Sequence, residues 1–147
     1  MNKLEKLKAI LKDMGSVLLA YSGGADSTFL LRAARDALKD KVLAVTAKSP
    51  TYPDEELIFS KNMAKMLGVK HKIINTAELM NNKFSSNPIN RCYFCKKELF
   101  AKLTKIAKQK KLNFVIDATN VSDKDDFRPG NKAKKELKVR SPLVEAG

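Results

Sequence analysis

Residues 17–27 read VLLAYSGGADS, and this stretch decides the fold. Its first part, residues 17–21, is a continuous apolar run, which is typical of a strand buried on both faces of a parallel sheet. Gly23 and Gly24 form a turn directly after it, and residues 26–39 then show the apolar pattern of a helix. A buried strand, a glycine turn and a helix together predict the first unit of a parallel α/β fold.

Strand and helix patterns alternate along the rest of the chain. Strands are predicted at residues 42–47, 72–75, 114–116 and 139–143. Helices are predicted from Leu4 to an end at Gly15 and at residues 54–67, 99–107 and 132–137. Loops are predicted at residues 76–91 and 123–130. Each gap between strands is long enough for a crossover helix. The pattern therefore predicts an α/β fold with an open, parallel, five-stranded sheet and helices on both faces, a Rossmann-like sandwich. We expect residues 1–147 to form one domain.

The composition bounds the class of protein. The 147 residues carry 29 Lys and Arg against 16 Asp and Glu, a net charge of +13, and 44% of them are apolar, which suits a globular domain. No apolar run approaches the roughly 18 residues of a membrane span, and the charged N-terminus does not resemble a secretory signal. Two cysteines and one histidine exclude a disulfide framework and a self-contained four-ligand zinc site. We therefore expect a reduced, cytoplasmic protein with no membrane partner.

Nearly all of the positive charge lies in one third of the chain. Residues 61–111 hold 13 basic and 2 acidic side chains, a net charge of +11, whereas the segments on either side are close to neutral. Such a field attracts a polyanion, a nucleotide or an acidic small molecule. The alternative is a solvated, lysine-rich helix face with no partner.

The turn after the first strand has the properties of an anion cradle. Gly23 and Gly24 lack the Cβ atoms that would keep a ligand from the backbone, and the N–H groups of a first helical turn have no partners within the helix. Ser22 and Ser27 add hydroxyl groups, while Asp26 either caps the helix or holds a magnesium ion that a phosphate carries in. The turn matches neither the dinucleotide fingerprint nor the Walker A loop, which needs a lysine.

The same turn resembles the PP-loop of the ATP-pyrophosphatase superfamily, whose pattern is Ser-Gly-Gly-x-Asp-Ser. The resemblance implies an adenine nucleotide alpha hydrolase-like fold and an enzyme that cleaves ATP between the α- and β-phosphates, with ATP and Mg²⁺ as cofactors. It assigns pyrophosphate and its magnesium to Ser22, Gly23, Gly24, Ala25, Asp26 and Ser27, with Asp26 both catalytic and metal-binding. It also assigns the adenine to the backbone of Val45, Thr46 and Ala47, for which a plain core strand is the alternative.

Several further stretches resemble the LarE family of ATP-dependent sacrificial sulfur transferases. They are residues 49–57, 87–88, 91–100, 117–120, 126–130 and 140–143, and they occur in the order and spacing of that family. The resemblance implies adenylation of a carboxylate of a pyridinium dicarboxylate mononucleotide and sulfur transfer from a protein cysteine, for the nickel-pincer cofactor of lactate racemase. The small-molecule nucleotide would be the substrate. The second half of that family, with its donor cysteine, is absent from this sequence, so we expect a homo-oligomer or a separate C-terminal half as a partner.

The resemblance also suggests residues of a substrate crevice, and Asp117 and Asn120 are expected there because they end the fourth strand, next to the first strand in the expected sheet order. The candidates are Arg91, Cys92, Cys95, Lys96, Asp117, Thr119 and Asn120, together with Arg128 as a catalytic residue. Each candidate has a plainer alternative. The cysteines at a helix start are reactive thiols, half of a shared metal site or simply small residues. The other polar residues either contact substrate or form a turn after a strand, a local ion pair or a solvated surface.

Two other functions are compatible with these patterns. A tRNA-thiolating or other PP-loop ligase is motivated by the charge of residues 61–111, although the chain has no recognisable RNA-binding motif. A non-catalytic nucleotide-binding module would bind ATP or AMP without releasing pyrophosphate. His71 has no acidic or cysteine neighbour in sequence and is predicted to be a surface histidine just before a strand.

Overall fold

The computed structural model describes residues 2–48, 53–75, 88–118 and 139–146, with side chains from residue 99 onward in the third of these segments. The elements are α1 (Lys3–Met14), β1 (Val17–Ala20), α2 (Ala25–Leu38), β2 (Val42–Lys48), α3 (Asp54–Leu67), β3 (Lys70–Asn75), α4 (Pro88–Gln109), β4 (Phe114–Ile116) and α5 (Pro142–Ala146). The predicted alternation of strands and helices is confirmed for these segments. The predicted loop at residues 123–130 and helix at residues 132–137 lie outside the described residues.

The described strands form one parallel sheet in the order β3-β2-β1-β4. Leu18 of β1 is in register with Leu43 of β2 on one side and with Val115 of β4 on the other. The chain builds outward from β1 through β2 to β3 and then returns to the opposite side of β1. This reversal of strand order leaves a crevice at the carboxyl ends of β1 and β4, where ligands bind in open α/β sheets.

Helices cover both faces of the sheet, as predicted. On one face, Leu7 and Leu11 of α1 and Leu30 and Leu31 of α2 pack around Leu19 of β1. On the other face, α4 packs against β1, β2 and β4 with a cluster that contains Leu18, Val45, Phe100, Leu103, Ile106 and Val115. Because Val17, Leu18 and Leu19 of β1 are fully buried between these layers, the strand gives the following loop a rigid support.

The predicted fifth strand at residues 139–143 is wrong. Arg140 makes only an isolated parallel bridge to Ile116, and α5 begins two residues later, at Pro142. Proline has no N–H to give to a strand ladder, and its fixed φ suits the first position of a helix. The N–H groups of Val144 and Glu145 instead bond to the carbonyl of Ser141. The sheet therefore has four strands in the part of the chain that the structure describes.

Two elements start at least two residues earlier than predicted. β3 begins at Lys70 rather than at residue 72, and α4 begins at Pro88, inside the segment predicted as a loop. Across residues 2–48, 53–75, 88–118 and 139–146, no helix combines the length and the apolar character that a membrane crossing requires.

Candidate functional site

The PP-loop, residues 22–27, joins the end of β1 to the first turn of α2. Ser22 N donates to Ser27 Oγ at 3.1 Å, and Gly24 N donates to Ser22 Oγ at 3.3 Å. Ser27 is buried, whereas Ser22, Ala25 and Asp26 are exposed. The two serine hydroxyls therefore hold the backbone of the loop, with Ser27 bracing it from the inside.

Among the residues that the structure describes, no side chain caps the N-terminus of α2. Its N-cap residue is Gly24, in an extended conformation, and Asp26 lies inside the first turn. The alternative that Asp26 caps the helix is therefore wrong. A helix start without a side-chain cap directs its N–H groups and the positive end of its dipole outward, which favours a bound anion.

Gly23 packs the PP-loop directly onto α3. Its φ of +83° lies in the left-handed region that favours glycine. A Cβ atom at this position would lie 2.6 Å from Ser60 Oγ. The Ser60 side chain is fully buried, and its hydroxyl has no hydrogen-bond partner among the described residues. The shape of the loop thus depends on a close contact with a helix that lies more than thirty residues further along the chain.

We expect Gly23→Ala to destabilise the fold by about 2 kcal/mol or more, because the left-handed conformation alone costs an alanine roughly 1–2 kcal/mol and the clash with Ser60 adds to it. Ser60→Ala alone should be neutral or slightly stabilising, since it removes a buried hydroxyl without a partner. The double variant should recover the part of the loss that comes from the clash. Urea unfolding of the four proteins measures each part, and a double variant no more stable than Gly23→Ala would contradict this account.

A crevice of about 570 Å³ opens at the carboxyl ends of β1, β2 and β4. The PP-loop forms one side of it, and α4 forms an apolar wall with Leu99, Phe100 and Leu103. Its volume lies within the range of roughly 300–1,000 Å³ that is usual for small-molecule sites. A polar anion cradle that faces an apolar wall suits a ligand with a phosphate chain at one end and a flat ring at the other.

The three residues predicted to meet adenine divide between the two faces of the sheet. Val45 and Ala47 line the crevice. Thr46 lies between them, and its buried side chain points to the opposite face, where Oγ1 donates to the carbonyl of Tyr21 at 3.0 Å. Adenine binding by the backbone of these residues stays a prediction.

Asp117 lies in the same crevice as Asp26, at the end of β4. Ser141 Oγ donates to Asp117 Oδ1 at 2.7 Å, and the backbone N–H of Asp117 bonds to the carbonyl of Arg140 at 3.0 Å. A strand at residues 139–143, as the apolar pattern predicts, gives no reason to pair Ser141 with Asp117. The short Arg-Ser-Pro stretch before a helix was the available signal.

His71 is not the surface residue that the sequence predicted. It lies within β3, is half-buried, and places Nε2 2.7 Å from Thr46 Oγ1. Its ring also meets the ring of Tyr21 edge-on, with 6.1 Å between the centroids. Burial lowers the pKa of His71 below its ordinary value of 6.5, and the charge of Lys61 lowers it further. Both effects favour the neutral form of the imidazole.

The remaining candidates cannot be placed in the crevice from the described residues. Arg91, Cys92, Cys95 and Lys96 belong to the first turns of α4, but their side chains lie outside the description, as do Thr119, Asn120 and Arg128 altogether. Within the described segments, no group of three or more His, Cys, Asp or Glu residues is arranged to hold a metal ion. A single exposed carboxylate beside a phosphate cradle, as at Asp26, suits magnesium, which protein sites often bind through one or two carboxylates and the phosphates of the substrate.

Comparisons with known proteins agree with this geometry. Residues 3–136 match the family model described as NAD synthase. An uncharacterized protein of Synechocystis is 42% identical over 144 residues, which are 98% of this chain and 54% of that protein. The pyridinium-3,5-bisthiocarboxylic acid mononucleotide synthase of Lactiplantibacillus plantarum is 37% identical over 145 residues, which are 98% of this chain and 52% of that enzyme. The chain thus spans about half the length of these relatives.

The fold is also found among solved structures. The NH3-dependent NAD synthetase of Campylobacter jejuni superposes with a TM-score of 0.73 at 19% sequence identity, over 99% of this chain and 77% of that one. At this identity the likeness concerns the fold alone.

Proposed function

The chain belongs to the NAD synthase family, within the PP-loop superfamily, and we propose that it binds ATP with magnesium, adenylates a carboxylate and releases pyrophosphate. ATP and Mg²⁺ are what the match of residues 22–27 to the PP-loop pattern implies. The observation that carries the proposal is the N-terminus of α2, without a side-chain cap, at the side of the crevice. Gly24 lines the crevice, and a Cβ atom on it would meet only Ser22 Oγ, at 3.5 Å, among the described atoms outside its chain neighbours and its own helix backbone. Only a glycine leaves this room for a phosphate against the backbone.

The proposed reaction is a substitution at phosphorus. A carboxylate oxygen of the acceptor attacks the α-phosphorus of ATP, and the bond from that phosphorus to the bridging oxygen breaks. The electron pair of this bond leaves with pyrophosphate, and the acceptor becomes an acyl adenylate. The N–H groups at the start of α2 would hold the negative charge of the leaving pyrophosphate. Asp26 would hold magnesium, which supplies further neutralisation of the phosphate charge.

We further propose that the acceptor is a pyridinium dicarboxylate mononucleotide and that adenylation is the first step of a LarE-like sulfur transfer. The support is the 37% identity to the synthase of Lactiplantibacillus plantarum over 98% of this chain. An acceptor with carboxylates and a phosphate is also complementary to the net charge of +11 on residues 61–111. The sulfur transfer itself is assigned to the larger protein of which such a domain is a part.

A second candidate function is thiolation of tRNA, and the same positive charge favours it. The two candidates differ in salt dependence, because each phosphate contact with RNA releases counterions. Binding of tRNA should therefore weaken steeply as the salt concentration rises. Binding of a single small nucleotide should weaken much less.

Release of pyrophosphate and AMP from ATP and magnesium tests these proposals. The assay is run with no acceptor, with the pyridinium dicarboxylate mononucleotide and with bulk tRNA. Stimulation by the pyridinium nucleotide supports the LarE-like function, and stimulation by tRNA alone supports thiolation instead. If ATP binds in a calorimeter but no acceptor stimulates release, the proposed adenylation is wrong for this chain, and a nucleotide-binding module replaces it.

A further inference from the structure

The PP-loop is closed by a hydrogen bond between the two residues that flank it. Tyr21 immediately precedes the loop and Thr28 immediately follows it, and Tyr21 Oη lies 2.9 Å from Thr28 Oγ1. Tyr21 is almost fully buried, whereas most residues of the loop between them are exposed. The bond therefore fixes the distance across the loop from below, on the side away from the crevice wall formed by α4.

Two residues of the neighbouring strands hold Tyr21 in turn. Thr46 of β2 donates from Oγ1 to the Tyr21 carbonyl at 3.0 Å, and His71 of β3 places Nε2 2.7 Å from the same Oγ1. The Tyr21 N–H also bonds to the carbonyl of Val45 at 2.9 Å. Both polar groups of the Tyr21 backbone and its hydroxyl are thus tied to their surroundings just before the loop begins.

The donors in this chain of contacts define the tautomer of His71. A threonine hydroxyl has one proton to donate, and Thr46 donates it to the carbonyl of Tyr21. Thr46 Oγ1 must therefore accept the contact from His71, and the imidazole carries its proton on Nε2. The two hydrogen bonds thus run in one direction. His71 donates to Thr46, and Thr46 donates to Tyr21, the residue next to the PP-loop.

We infer that Tyr21, Thr28, Thr46 and His71 form a clasp that positions the PP-loop for ATP. These are positioning residues, since none of them needs to contact the nucleotide. The inference rests on the function proposed above for its effect on ATP. A loop with two adjacent glycines loses much backbone freedom when it is ordered, and the clasp removes part of that freedom before the ligand arrives. Binding is tighter when a site is ordered in advance.

The central test is Thr46→Val, which keeps the shape of the side chain and removes both of its hydrogen bonds. We expect the affinity for ATP and magnesium, measured by calorimetry, to fall about tenfold. Thr46→Ser should restore most of it, because serine supplies the same hydroxyl. Thr104→Val is the matched control, since among the described residues the Thr104 hydroxyl bonds only to the carbonyl of Phe100 in its own helix, and it should leave the affinity unchanged. Equal affinity in Thr46→Val and the wild type would overturn the inference, and so would a failure of Thr46→Ser to restore it.

Two measurements on the free protein separate this inference from the proposed function. The chain has one histidine, so its imidazole nitrogen resonances are assigned without ambiguity, and we expect the Nε2–H tautomer in the wild type. Amide hydrogen exchange of residues 22–26 should become at least about tenfold faster in Thr46→Val but not in Thr104→Val. If the wild type binds no ATP, the proposed function is wrong. The tautomer and the amide exchange rates still test whether the clasp exists. The Nδ1–H tautomer or unchanged exchange would overturn the clasp itself.

Discussion

Gly24→Val is expected to abolish ATP binding while the protein stays folded. The nearest protein atom to a Cβ at this position is Ser22 Oγ, at the ordinary contact distance of 3.5 Å. The backbone of Gly24 is extended, with φ −74° and ψ 173°, which a β-branched residue adopts without strain. The two methyl groups of valine would then occupy the space in which a phosphate must approach the N–H groups of α2. We expect the affinity to fall at least about 100-fold, since each lost hydrogen bond between a backbone N–H and a charged phosphate costs about 1.5–3 kcal/mol.

Calorimetry with ATP and magnesium measures this effect, and urea unfolding checks the fold. Gly24→Ala is the graded control, because a single methyl group should block the cradle less than valine does. Gly23→Ala should show the opposite pattern. Its Cβ atom would clash with Ser60 rather than enter the crevice, so it should lower the stability of the fold more than the affinity for ATP. Undiminished ATP affinity in a folded Gly24→Val protein would refute the PP-loop as the phosphate site.

The local part of the fold could be predicted because each signal lies within a few residues. The apolar run of β1, the glycine turn and α2 are adjacent in sequence, so the position of the PP-loop needed no knowledge of distant contacts. The placement of Asp117 near the loop followed from the usual connection rules of parallel sheets, which set β4 beside β1. What the sequence predicted best was therefore the carboxyl edge of the sheet.

The rest depends on contacts between distant residues. The conformation of Gly23 is coupled to Ser60 of α3, and no short motif contains both. Strand β3 starts two residues earlier than the apolar pattern predicts, so His71 lies within the strand. This position puts the imidazole beside Thr46. Such pairs have no periodic signal, because they arise only when two strands come into register.

Helix α5 lies where the apolar pattern predicts part of a strand, and side-chain contacts of Arg140 accompany this difference. Arg140 donates to both carboxylate oxygens of Glu145, and its guanidinium lies 5.0 Å from the ring centroid of Phe114. The hydrogen bond to Glu145 raises the pKa of Arg140, although burial opposes this. These contacts place Arg140 between Glu145 of α5 and Phe114, the first residue of β4. The next residue, Ser141, donates to Asp117. The residue just before this helix is thus a hydrogen-bond partner of one carboxylate of the crevice.

Asp26→Asn is expected to lower the rate of pyrophosphate release at least about 100-fold, which corresponds to about 2.7 kcal/mol of lost transition-state stabilisation. Asn keeps the size and the hydrogen-bonding oxygen of the side chain but removes the negative charge that magnesium requires. The cost in stability should be small, because Asp26 is exposed and the interaction of one acidic side chain with a helix N-terminus is worth only about 0.3–1 kcal/mol. The two magnitudes differ enough to distinguish a chemical role from a structural one.

Asp36→Asn supplies the matched control, because Asp36 is an exposed aspartate near the other end of the same helix, where it pairs with Lys8 at 3.5 Å. Both variants lose one negative charge from α2, so a general electrostatic effect on the phosphates would appear in each. We expect only Asp26→Asn to lose activity, and we expect its residual rate to depend more weakly on the magnesium concentration. Similar losses in the two variants would mean that the net charge of the helix, rather than a metal-binding carboxylate at its start, governs the reaction. A fully active Asp26→Asn protein would remove Asp26 from the proposed site, and the other carboxylate placed in the crevice, Asp117 with its Ser141 partner, would become the candidate for magnesium.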